Sequence, residues 1–130
     1  MKINWEELLG WKEKELSDLR CVAYSYLQQG IYDVAITFFD AITVLTPPSF
    51  YDLQTVGALH LQLGNGLQAL DYLDRALKLQ PDHLPTLLNR AKTLFLLGYK
   101  KQALKLAQEL EKSNNPEIAD QASALTLAYR

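Results

Sequence analysis

The sequence is poor in the residues that carry chemistry on their own. It holds 1 cysteine, Cys21, which excludes an intramolecular disulfide and a thiolate zinc cluster. A single free thiol suits a reducing compartment. Its 2 histidines, His60 and His83, lie without metal-spaced cysteines or carboxylates, which makes a poor metal site. With 6 glycines and 5 prolines, the chain is neither collagen-like nor of low complexity. Charge of one sign is also lacking. Lysine and arginine number 13 against 15 acidic residues, for a net charge of -2 and a pI near 5.6. That balance gives no electrostatic reason to bind nucleic acid or an anionic membrane. No apolar run approaches the roughly 18 residues of a membrane span. The start, Met1-Lys2-Ile3-Asn4-Trp5-Glu6-Glu7, turns acidic where a secretion signal turns apolar. A cytoplasmic protein is the expectation. No G-x-S-x-G, phosphate-cradling glycine loop or dinucleotide fingerprint occurs, so no enzyme, cofactor or metal is expected. What is present is a hydrophobic fraction of 48% against 22% charged, enough for a packed globular chain.

The apolar residues are periodic. Gly30, Gly64 and Gly98 are spaced by 34 residues. Ala35, Ala69 and Ala103 follow them at a constant offset, and Leu19, Leu53 and Leu87 precede them at another. Ala23, Gly57 and Ala91 form a small-residue register, while Pro47 and Pro81 recur after the first two glycines and Pro116 comes one place late after the third. Coincident registers of this kind mark a repeat architecture. The units begin at Leu16, Phe50 and Leu84.

Each unit reads as two helices. Leu16, Leu19, Ala23 and Tyr26 step by three and four along one face. Gly30 ends that helix, because glycine tolerates the left-handed conformation at the residue after a helix. Val34, Ala35, Phe38, Phe39, Ile42 and Leu45 form the next stripe, which Pro47-Pro48 stops. Leu53, Val56, Gly57, His60 and Leu63, then Ala69, Leu70, Leu73, Ala76 and Leu77, repeat the scheme. Leu87, Ala91, Leu94 and Phe95, then Ala103, Leu106, Ala107 and Leu110, repeat it again. The small residues let two helix axes approach where they cross. No stretch alternates with period two, so the fold class is all-α. One domain, 1–130, is expected: an N-terminal helix 1–15, repeats 16–49, 50–83 and 84–117, and a capping helix 118–130.

Single residues divide by setting. His60 stands on an interior position and reads as a core histidine, His83 as a solvated loop residue after Pro81-Asp82. Cys21, mid-helix, reads as a small buried hydrophobe. Asn4 and Glu7 resemble a capping box opening a helix with Trp5, Leu8 and Leu9, which Gly10 should break or bend. That helix either folds back on the first repeat or serves self-association or partner docking through Trp5, Leu8 and Leu9, a homodimer being one form.

The repeated residues resemble the tetratricopeptide family across residues 16–117. The second unit fits best, with Gly57, Gly64, Ala69, Ala76 and Pro81 in place. The first departs at Ala41 and Ile42, the third at Arg90, which stands where an apolar residue is usual. The resemblance implies a superhelical solenoid of three helix pairs with a concave groove for a protein segment. Carried onto this sequence, the lining positions are Ser17, Arg20, Tyr24, Leu27 and Gln28; Tyr51, Gln54, Ala58, Leu61 and Gln62; and Pro85, Leu88, Lys92, Phe95 and Leu96. Leu27, Leu61 and Phe95 recur at one position, a ladder for apolar side chains, with Arg20, Gln28, Gln54 and Gln62 available to a bound backbone. The two-carboxylate clamp that grips heat-shock chaperone tails is not matched, since Arg20, Tyr24, Thr55, Pro85 and Asn89 keep only one charge. More narrowly, Gly30-Ile31-Tyr32-Asp33-Val34-Ala35 and Phe39-Asp40-Ala41-Ile42-Thr43-Val44-Leu45 are similar to the first repeat of type III secretion chaperones for translocators. The length is similar to that of needle-subunit chaperones, which work with a small helical co-chaperone. Either likeness implies that the partner is a secreted hydrophobic protein held soluble before export. The competing reading is a scaffold or assembly adaptor.

Overall fold

The computed structural model describes the backbone of residues 5–129 and the side chains of residues 13–129. Among these residues the chain forms seven helices and no strand: α1 (Trp5–Gln28), α2 (Tyr32–Leu45), α3 (Phe50–Gln62), α4 (Gly66–Leu79), α5 (Leu84–Leu96), α6 (Lys100–Glu111) and α7 (Pro116–Tyr129). They group into two compact units that divide between Pro48 and Ser49.

The glycine register is the device that makes each hairpin. Gly30, Gly64 and Gly98 have φ of 77°, 80° and 85°. At each one the same pair of hydrogen bonds closes the helix. The Gly98 N–H donates to the Phe95 carbonyl and the Tyr99 N–H to that of Leu94; Gly64 and Asn65, and Gly30 and Ile31, do likewise. This is the double closure that satisfies the last carbonyls of a helix through a left-handed residue. A methyl at Gly64 or Gly98 would meet nothing within 4 Å, so only backbone strain opposes it. Gly64→Ala and Gly98→Ala are each expected to lower stability by about 1–2 kcal/mol. Urea unfolding followed by circular dichroism checks this, and an unchanged midpoint would refute it.

In the first unit α1 packs on α2. Leu16 and Ala23 are buried from one side, Ala35, Ile36, Phe39 and Ile42 from the other. Tyr24 meets Phe39 edge-on at 5.1 Å between ring centroids, and Tyr26 stacks on Phe38 at 5.7 Å. Two expectations are corrected here. The helix runs unbroken through Gly10, so no separate N-terminal helix stands before the first repeat. One interior glycine costs a helix only about 1 kcal/mol, which its neighbours offset. Cys21 is exposed rather than buried. It sits two residues from both Leu19 and Ala23, which turns it to the far side of the helix.

In the second unit α3 pairs with α4, α5 with α4 and α6, and α7 lies on α6 and α5. Gly57 is the crossing point of α3 and α4: a Cβ there would come within 2.8 Å of Leu73 Cγ. Phe50, Leu53 and Ala76 form one apolar cluster, with Tyr72 packed against it. Leu94, Phe95, Ala103 and Ala107 form another, and Leu88, Ala91, Leu110, Ile118 and Ala122 a third. Each cluster joins elements close in the chain, as expected of stacked repeats. The departures from the repeat pattern are resolved locally. Arg90, on α5, reaches back to Asp74 on α4 at 2.7 Å, so it fills an apolar position by pairing across the repeat boundary. The late Pro116 opens α7, which Asn115 caps by accepting from the N–H groups of Glu117 and Ile118.

The two histidines have structural settings. His60 is buried and stacks on Tyr72, with Asn65 Nδ2 at 3.3 Å from its Nδ1. His83 is not the solvated loop residue expected from sequence. Its Nδ1 lies 2.7 Å from Thr86 Oγ1 and accepts from the Thr86 N–H, capping α5, while its ring meets Phe50 edge-on at 4.7 Å.

Candidate peptide-binding surface

Helices α3, α5 and α7 lie side by side, because α5 touches both of the others. Along α3, Tyr51, Gln54, Ala58, Leu61 and Gln62 are spaced by three, four, three and one residues, one face of a helix. None of them is buried, and Tyr51 keeps 64% of its surface exposed. The opposite side of the same helix buries Leu53, Val56, Gly57 and His60. The α3 face therefore carries aromatic, aliphatic and amide groups, with Tyr51 and Gln62 exposed and Gln54, Ala58 and Leu61 half-buried. Chemically, those groups could offer apolar contacts and amide hydrogen bonds to an extended backbone.

On α5 the corresponding positions have different fates. Lys92 is partly buried, Pro85 is exposed and Leu96 is 51% exposed. Leu88 lies in the core beside Ala91, Leu110, Ile118 and Ala122, with 3% of its surface left. Phe95 retains 7%: it packs with Leu94, Ala103 and Ala107, and the Tyr129 ring from α7 stacks on it at 4.3 Å and 15°. In the first unit Gln28 and Ser17 are exposed, Tyr24 is 38% exposed, and Arg20 and Leu27 are half-buried. The side chains of Trp5, Leu8 and Leu9 lie outside the described residues, as do those of Asn4 and Glu7.

Tyr129 is the residue that sequence reasoning missed. Its signal was present: it follows Phe95 by the same 34 residues that separate Leu27, Leu61 and Phe95. An open cleft of about 420 Å³ adjoins the stacked pair, lined by Phe95, Gly98, Lys100, Ala128 and Tyr129. Among the described residues no group of three or more His, Cys, Asp or Glu side chains could hold a metal ion. No helix there is long and apolar enough to cross a membrane.

Paired helices of this length, closed by a glycine at every 34th residue, define the tetratricopeptide fold, and solved structures share it. No protein-family model matches the chain, and no curated protein does. Yeast Tom70 superposes with a TM-score of 0.72 at 21% identity; the match covers 88% of this chain but only 24% of Tom70. The first tetratricopeptide domain of Spaghetti (RPAP3), bound to an HSP90 peptide, gives 0.74 at 20% identity over 88% of this chain and 93% of that one. The type III secretion chaperone SycD of Yersinia enterocolitica, in complex with a peptide of the translocator YopD, gives 0.75 at 24% identity. That match covers 89% of this chain and 92% of SycD.

Proposed function

We propose that this chain is a non-enzymatic, cytoplasmic chaperone that holds an extended apolar segment of a secreted protein, in the manner of a type III secretion chaperone. The observation that carries this reading is the unburied α3 face in a chain whose fold matches that of SycD, a chaperone solved with a translocator peptide, over nearly its whole length. Tyr51, Ala58 and Leu61 supply apolar contacts, and Gln54 and Gln62 supply amides toward the bound backbone. Lys92, Leu88 and Phe95 flank them on α5, the last two only where the core cover moves aside. Arg20, Tyr24, Leu27 and Gln28 hold the same positions on α1 and offer the same chemistry within the first unit.

The second reading is a scaffold or assembly adaptor, favoured by the equally good superposition of Tom70 and the RPAP3 domain. An adaptor for acidic chaperone tails is opposed by the residues at the clamp positions. Arg20 keeps its charge, but Pro85 and Asn89 stand where the clamp has two basic residues, and Tyr24 and Thr55 stand where it has asparagines. Affinity capture from cells that express the protein, with identification of what is bound, separates the readings. A secreted partner that is insoluble alone and soluble on co-expression supports the chaperone. A partner that folds and stays soluble by itself refutes it.

A further inference from the structure

Phe95 breaks the pattern of its own ladder. Leu27 and Leu61 are half-buried, whereas Phe95 keeps 7% exposure. One side of Phe95 packs in the core with Leu94, Ala103 and Ala107, and on the ring's face lies Tyr129, stacked at 4.3 Å. That separation and near-parallel geometry are those of a favourable aromatic pair. Yet Tyr129 is no core residue. It remains 45% exposed, Leu127 beside it is 70% exposed, and Thr126 is the last residue of α7 that is buried. No residue of α7 after Thr126 is buried among those described, so this last turn is held by little besides the ring contact. Releasing the ring requires movement of that turn alone, while Ile118 and Ala122 hold the rest of α7 in the core. The cleft of about 420 Å³ beside the pair gives an incoming side chain a place to approach, with Lys100 on its lining.

We propose that the surface of Phe95 is an aromatic-ring site and that Tyr129 is its internal occupant. A partner's phenylalanine or tyrosine enters by displacing Tyr129, so the last turn of α7 competes with the bound segment and sets its affinity. This deepens the peptide-binding reading and rests on it: the partner carries an aromatic anchor at the third-repeat position rather than an aliphatic one.

The test needs no natural partner. N-acetyl-phenylalanine amide is titrated into the full chain, and amide chemical shifts are followed by NMR, with N-acetyl-leucine amide as comparison. If Tyr129 occupies the site most of the time, its removal raises the competent fraction and lowers the apparent Kd. Y129A is expected to bind the phenylalanine amide about five- to tenfold more tightly than the unaltered chain, with shifts centred on Phe95, Gly98 and Lys100. Y129F keeps a ring and is expected to match the unaltered chain; the leucine amide binds more weakly to all three. Equal Kd values for Y129A and the unaltered chain overturn the proposal, as do shifts remote from Phe95 or no binding by either form. A purely structural Tyr129 would lower the melting temperature of Y129A and leave that Kd unmoved. None of these outcomes bears on capture through α3, so the two readings fail separately.

Discussion

Leu73→Ala is expected to destabilise the second unit by about 3–5 kcal/mol. Leu73 is fully buried, and its side chain fills the space that Gly57 leaves where α3 crosses α4. Removing it deletes apolar burial and leaves a cavity that a rigid helix pair cannot close. Gly57→Ala attacks the same contact from the other side. Its Cβ would stand 2.8 Å from Leu73 Cγ and Cδ2 and 3.3 Å from the Leu73 backbone nitrogen, so side chain and helix axis must both give. Overpacking of this kind costs about 1–3 kcal/mol, against which alanine recovers about 1 kcal/mol of helix propensity. The two changes must couple. With Leu73 already trimmed, the two 2.8 Å side-chain contacts are gone and only the 3.3 Å approach to the backbone nitrogen still resists the methyl. Gly57→Ala is therefore expected to cost clearly more in the unaltered chain than in Leu73→Ala. Urea unfolding of the two single variants and the double variant reads that difference directly; an equal cost in both backgrounds would show that the helices do not meet through this pair.

That contact also shows what the sequence could disclose. A small residue at Ala23, Gly57 and Ala91 is visible as a period, and its physical cause, a close helix crossing, follows from the period alone. The left-handed glycines were legible for the same reason, since conformation there is set by adjacent residues. Where burial depends on distant chain, composition and local pattern were silent, and only the 34-residue spacing of Tyr129 from Phe95 hinted at the cover. Phe95 and Leu61 occupy one register, yet only Phe95 has α7 laid over it. His83 follows a Pro-Asp turn and looks solvated, but Phe50, far back in the chain, covers its ring. Gly10 misled for a different reason: glycine permits a helix end without requiring one, and no proline or register shift accompanies it.

Leu61→Glu is expected to weaken partner capture at least tenfold with the fold intact. Leu61 is half-buried on α3, one turn beyond the Gly57 crossing, with part of its side chain still open to water in the free chain. In a complex that covers the face, a carboxylate at this position replaces burial of the remaining exposed half of Leu61, about 1 kcal/mol or roughly fivefold in affinity. Its own desolvation adds to the loss. Tyr51→Glu, at an open position on the same face, is expected to act in the same direction. Phe95→Glu is a poor probe, because Phe95 lies beneath Tyr129 and within the cluster of Leu94, Ala103 and Ala107. A charge placed there would damage the unit before it tested a groove. The control is Leu67→Glu on α4, an apolar residue 68% exposed and off the α3 face, which is expected to leave capture unchanged. Circular dichroism establishes that each variant is folded before capture is compared. Capture by Leu61→Glu equal to that of the unaltered chain, or an equal loss with Leu67→Glu, removes α3 as the binding face.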